Sequence, residues 1–477
     1  MTHLCVLLAF AISAASGSEQ PDELAAKSRR ARQAMAEGRL EDATALYREL
    51  VRALPRSAGL LMNLGLALHS AGRYAEAIEQ FEGAVRIEPD LTPAWLMLGL
   101  AHQKLGQPAR AVEPLTRALR REPANRIALL ELADALLALG RAGEAAAHFR
   151  RLGELEPGNP KAWQGLGLSY VALARRAFEA LEKSAPNSPY WYALLARSKA
   201  EERQYRTAFH LYKQALDGVS DLPGIHAALA DIYRKTGHEE WAALEEARER
   251  ALPKPKRLAP AAGTPEHYYE QATVHSQKAL EAFSRLSLLP PTAEVHELLA
   301  EAYRIRRQHR QSVHELNAAL KLNPGDRRLE KKLAESLWLN LDSEAAVPLL
   351  ERLLREEPES TDLNYQLGDS LLQLGEAEKA LPLLEKAVKL APERLPAHAS
   401  LAQAYLRSGR LEEAVRHFQI ALPVDDDGSL RYQLALAYRR LGRSELAEKV
   451  LHEFDNISRA AQTRQRKSDE ERQITAP

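Results

Sequence analysis

Residues 92–125 read TPAWLMLGLAHQKLGQPARAVEPLTRALRREPAN, and this stretch decides the fold. Its Gly99 belongs to the series Gly65, Gly99 and Ala133, and its Ala111 to the series Ala77, Ala111 and Ala145; both recur every 34 residues. A period of that length, with apolar residues at i, i+3 and i+4, is the mark of helical hairpins stacked one on the next. The expected fold is all-α: an α-α superhelix, or solenoid, of stacked helical hairpins.

Working outward from residue 92, units begin near Leu24, Ala58, Thr92, Arg126, Pro160, Pro189, Pro223, Pro265, Ala293, Arg327, Thr361, Leu395 and Gly428, thirteen candidates in all. Two helices that cross closely need small residues where their backbones meet. Gly65, Gly99, Gly167 and Gly368 supply them on the first helix, and Ala77, Ala111, Ala145 and Ala380 on the second. Leu64, Leu98, Leu132, Leu166 and Leu367, with Phe81, Phe149, Phe209 and Phe418, fill the space between, each contributing about 1.5–3 kcal/mol when buried. Pro89, Pro123, Pro157, Pro324, Pro358 and Pro392 end the second helices. Gly72, Gly106, Gly140, Gly375, Gly409 and Gly442 fall at the turn inside the hairpin.

Trp95, Leu98, Gly99, His102, Ala111, Leu115, Ala118 and Pro123, echoed by Trp163, Leu166, Gly167 and Tyr170, resemble the tetratricopeptide repeat (TPR), and the likeness covers nearly all of residues 24–458. The resemblance implies a protein-interaction scaffold whose concave face is built from the second, fifth, ninth and twelfth places of each unit. On the N-terminal side these places hold Met62, Leu66, Leu96, Leu100, Ile127, Leu130, Leu168 and Val171, an apolar groove suited to a peptide or helical segment. On the C-terminal side they hold Glu297, Glu301, Arg304, Arg328, Lys331, Glu335, Trp338, Tyr365 and Asp369, with Trp338 and Tyr365 as candidate hot spots. The Lys and Asn of a carboxylate clamp are missing from the ninth places, and Asn63 alone stands at the sixth place, where sugar-transferring relatives carry an asparagine ladder.

Three breaks interrupt the period. The units at 160–188 and 265–292 are short, and the first is expected to run as one helix across 165–184. Between them, PKPKRLAPAAGTP from Pro253 to Pro265 admits no intact helix. The expected organisation is a signal peptide at 1–18, an N-terminal array of about seven units at 24–252, a linker at 253–264, a C-terminal array of about six units at 265–458, and a polar tail at 459–477.

Residues 4–15, LCVLLAFAISAA, read as a secretory leader, so the mature chain is expected to be periplasmic or secreted, or cytoplasmic if the leader does not function. The only cysteine, Cys5, would leave with it. The 65 basic and 65 acidic residues cancel, which argues against nucleic acid as a partner. No apolar run is long enough to span a membrane.

No catalytic or metal-binding motif is present, and no cofactor or enzymatic activity is expected. His102 and His275 occupy an aromatic packing place, and Asp425-Asp426-Asp427-Gly428 reads as an acidic turn that caps the next helix. The function expected is a protein–protein interaction scaffold with proteins or peptides as partners. Two alternatives stay open: a cell-envelope assembly, secretion or polysaccharide-export factor, and an enzyme whose site is unrecognised.

Overall fold

The structure, a computed structural model, describes residues 21–252, 260–469 and 474–475. The expected leader and the first seven residues of the expected linker, 253–259, lie outside the described residues. Among the described residues there are twenty-four α-helices, one short 3-10 turn and no strand.

Four hairpins come first: α1 (Pro21–Ala36) with α2 (Leu40–Ala53), α3 (Ala58–Ser70) with α4 (Tyr74–Ile87), α5 (Thr92–Lys104) with α6 (Pro108–Arg121), and α7 (Arg126–Ala138) with α8 (Ala142–Leu155). The single helix α9 (Pro160–Ser184) follows. Two further hairpins, α10 (Pro189–Glu201) with α11 (Tyr205–Gly218) and α12 (Ile225–Lys235) with α13 (Glu239–Ala251), precede a second single helix, α14 (Pro265–Ser287). Five hairpins complete the order: α15 (Ala293–Ile305) with α16 (His309–Leu322), α17 (Arg327–Leu339) with α18 (Ser343–Glu356), α19 (Thr361–Gln373) with α20 (Ala377–Leu390), α21 (Leu395–Arg407) with α22 (Leu411–Ala421), and α23 (Ser429–Arg440) with α24 (Ser444–Asp469).

The hairpin of α3 and α4 shows why these residues fold this way. Ser57 caps α3 by accepting from the Leu60 N–H. Gly72, at φ +75°, reverses the chain while its N–H donates to the His69 carbonyl and the Arg73 N–H to that of Leu68. Gly65 then lies so near α4 that a Cβ there would stand 2.5 Å from the Phe81 ring. Phe81, Phe149, Phe209 and Phe418 are all fully buried. Where the turn lacks glycine, Arg203, Arg307 and Leu341 take φ between +57° and +60° instead, the left-handed region that side chains disfavour.

The long helices change the organisation expected from the sequence. The stretch VALARRAFEALEK from Val171 has no Gly or Pro and is rich in helix formers, so α9 continues straight where other units turn. α14 does the same. Neither closes a hairpin within its own unit, so 160–188 and 265–292 are not two of thirteen units. The two helices pair with each other. In one compact body, which runs to Arg175 and takes in Val274–Leu286, Gly167 abuts Phe283 and Tyr170 stacks on His275 at 5.9 Å between centroids. In a second, which holds Arg176–Thr273 and the chain from Ser287 onward, Ala177, Leu181 and Ala272 are buried together with Leu194 of α10. The packing therefore divides the chain within α9 and α14, and not at 253–264 between seven and six units. α24 likewise continues to Asp469, well into the stretch expected as a polar tail.

Candidate functional site

Within the first body, α3 packs beside α5 and α5 beside α7, so their equivalent places form one wall. Met62 and Leu96 are buried in it, while Leu66, Leu100, Ile127 and Leu130, with Leu168 and Val171 of α9, are half-buried and keep part of their apolar surface open. Two carboxylates of α7 share this wall. Asp134 is an exposed residue, yet protein crowds its carboxyl. Loss of hydration, reinforced by the Glu131 charge, pushes its carboxyl up to about 6, with Lys161 acting in the opposite sense. The Glu131 carboxyl is raised by burial too, and Lys104 and Lys161 offset part of that.

A second concavity in this body, with a volume of about 950 Å³, lies outside that row. Ile78 and Val85 of α4, Leu98 of α5 and Pro114 of α6 line it, and the Arg117 guanidinium sits 4.6 Å above the Trp95 ring at its edge. Periodicity did not single it out, because its lining alternates apolar with charged residues.

In the second body, the wall of α15, α17 and α19 has a different chemistry. Glu297, buried, accepts from Arg328 and from Lys332 Nζ at 2.6 Å. Glu301 holds Arg304 in two bonds of 2.7 and 3.0 Å, and Arg304 reaches Glu335 at 3.6 Å. Lys331 pairs with Glu357 at 2.6 and 2.7 Å. Trp338 donates its indole N–H to Asp369 at 2.8 Å, and Asp369 also accepts from Ser400 at 2.8 Å. Tyr365 lies edge-on to Trp338, with Arg394 stacked over it at 4.4 Å. Burial, with Asp369 nearby, pushes the Tyr365 phenol up to about 12. The structure thus brings the sequence-selected residues of this wall together but binds them to one another, so a charged ligand would have to displace existing partners.

This ladder has a regularity that the sequence already contained. Arg304 to Glu335, Trp338 to Asp369 and Glu297 to Arg328 all span 31 residues, which joins a late place on one first helix to an earlier place on the next. Reading charges at that offset would have found them.

The remaining sequence candidates are structural. His102 meets Gln107 at 3.0 Å. Asp425 accepts from the Leu430 and Arg431 N–H groups at 2.9 and 3.1 Å and pairs with the Arg431 guanidinium, so the acidic turn caps α23. Among the described residues no cluster of three metal-ligating side chains occurs and no helix is long and apolar enough to cross a membrane.

Models described as the tetratricopeptide repeat match residues 28–91, 96–160 and 331–394, with further matches at 371–437 and 428–453. No curated protein matches the chain. Among solved structures, a MamA protein matches at 18% identity over 42% of this chain and 94% of its own, with a TM-score of 0.31. MamA from Desulfovibrio magneticus RS-1 matches at 21% identity over 35% and 96%, with a TM-score of 0.32. YrrB, described as a TPR protein with an unusual peptide-binding site, matches at 22% identity over 40% and 84%, with a TM-score of 0.28.

Proposed function

The chain belongs to the tetratricopeptide-repeat family, whose members are typically non-enzymatic protein-interaction scaffolds, and we propose that it captures an amphipathic segment of another protein along the wall of α3, α5, α7 and the first part of α9. The observation that carries this reading is the row Leu66, Leu100, Leu130, Leu168 and Val171, half-buried after hairpin packing is complete. A helix presenting apolar residues at i, i+3, i+4 and i+7 would cover that surface. Asp134 and Glu131 beside the row favour a basic residue on the ligand's flank.

The test is selection from a library of amphipathic helical peptides by the full chain and by a Leu66→Ser, Leu100→Ser, Leu130→Ser variant. The variant is expected to keep its helical circular dichroism and lose the selected peptides. Undiminished selection by the variant would move the site elsewhere, with the concavity beside Trp95 as the next place to look.

We place the mature chain outside the cytoplasm on the strength of residues 4–15, which makes partners in cell-envelope assembly or export the natural candidates. Fractionation of cells with an antibody to the chain tests this; recovery in the cytoplasm with residues 1–18 intact would reject it.

A further inference from the structure

A different part of the second body carries a second binding site, independent of the leucine row. The turns of the α10–α11 and α12–α13 hairpins lie side by side and border an open cavity of about 700 Å³, lined by Arg203, Tyr205, Arg206, Thr236 and His238. Ile474 lines the same cavity and packs on the cluster of Phe209, Tyr212, Ile225 and Tyr233. Beside it, the Tyr233 hydroxyl donates to the Thr475 carbonyl at 2.7 Å. The rest of Tyr233 is buried, and burial pushes its phenol up to about 12, so the hydroxyl stays a donor at any physiological pH.

What sets these turns apart is the chemistry at one register. Four other hairpins begin their second helix with an arginine that pairs with an acid three residues on: Arg39 with Asp42, Arg73 with Glu76, Arg141 with Glu144 and Arg410 with Glu413. At the same register the α12–α13 hairpin has His238 stacked on Trp241, centroids 4.1 Å apart, with Tyr233 edge-on to Trp241 at 5.6 Å. An ion pair that closes the end of a hairpin is thereby replaced by an aromatic stack whose His238 reaches the cavity, beside a buried hydroxyl donor. Aromatic surface suits an aliphatic side chain, and a lone O–H donor suits an extended backbone whose carbonyl is free.

We propose that the paired turns of α10–α11 and α12–α13 form a docking site for an extended aliphatic segment, and that this chain fills the site with its own Ile474–Thr475. A segment tethered to the same chain acts at millimolar effective concentration, so it screens the site from free ligands of similar sequence.

The test uses a fluorescent peptide of residues 468–477, blocked at both ends, and reads its anisotropy. The full chain carrying Ile474→Asp, and a chain ending at Asp469, are both expected to bind the peptide, whereas the unaltered chain binds it at least about ten-fold more weakly. Restoring the ion pair found elsewhere, His238→Arg with Trp241→Glu, in the chain ending at Asp469 should abolish binding at unchanged helicity, and Tyr233→Phe should weaken it several-fold. Absence of binding to both the Ile474→Asp chain and the shortened chain, or equal binding by the restored-pair variant, would overturn the site. Equal binding by the unaltered chain would overturn its occupation by Ile474–Thr475.

Discussion

Gly167 of α9 lies against the ring of Phe283 of α14, so closely that a Cβ at 167 would overlap the ring edge. The two residues are more than a hundred positions apart, yet they make the contact that Gly65 makes with Phe81 inside a single hairpin. Replacing Gly167 by Leu should therefore overpack this pair and cost about 1–3 kcal/mol, and Phe283→Ala should cost about 3 kcal/mol or more. Urea unfolding of the two single variants and the double variant should show coupling of about 0.5–3 kcal/mol. Strict additivity would mean that α9 does not find its partner in α14.

The Trp95 indole donates to the Pro89 carbonyl at 2.8 Å, and Trp163 does the same to Pro157. Asn364 reaches Pro358 and His398 reaches Pro392 at 2.9 Å. A side-chain donor at the fourth place of a unit thus satisfies the carbonyl of the proline six residues earlier. Trp95→Phe keeps most of the apolar ring and removes the donor, so it should lower stability by about 1 kcal/mol in equilibrium unfolding.

Leu341 holds φ +58° in the α17–α18 turn while its side chain is 73% exposed. Left-handed geometry costs a side chain about 1–2 kcal/mol, and glycine returns part of that gain as chain entropy. Leu341→Gly should raise stability by about 0.5 kcal/mol or slightly more, visible as a higher denaturation midpoint.

His417 and His398 face each other through their Nδ1 atoms at 2.8 Å, and His398 Nε2 lies 2.9 Å from the Pro392 carbonyl. Burial, with His398 and Arg416 adding to it against Glu385 and Glu413, holds the His417 imidazole down at about 4. The folded chain thus resists protonation that the unfolded chain accepts near 6.5. Stability should be full above that pH and fall as pH drops from 6.5 towards 4. His417→Gln should flatten that part of the pH profile of thermal unfolding.

Asp134 has the opposite sign. Its folded carboxyl, raised to about 6, binds a proton more tightly than in the unfolded chain, so its contribution to stability grows as pH falls through 6 towards 4. A basic ligand residue needs the ionised form. Capture of a basic amphipathic peptide by the leucine row should accordingly weaken below pH 6, and Asp134→Asn should make it weak at every pH between 5 and 8, as read by titration calorimetry.

The period of 34 residues by itself determined the helical hairpins, their turns and the small residues at their crossings, because each of these is a local requirement: a residue that tolerates left-handed backbone, a missing Cβ, a proline past a helix end. Of the two unbroken helices, α9 was partly legible, since the turn residues are absent from VALARRAFEALEK. Only the tertiary structure decided what covers them. A helix with no turn has no neighbour imposed by chain connectivity, so its apolar side takes whichever distant helix offers the matching surface, and Phe283 filled the place over Gly167. The same holds for the charged wall: the types at Glu297, Arg304, Trp338 and Asp369 were plain, but stacking the hairpins turned exposed charges into partners. Local chain geometry writes itself into sequence period; long-range pairing depends on which surfaces remain open after the local elements have formed.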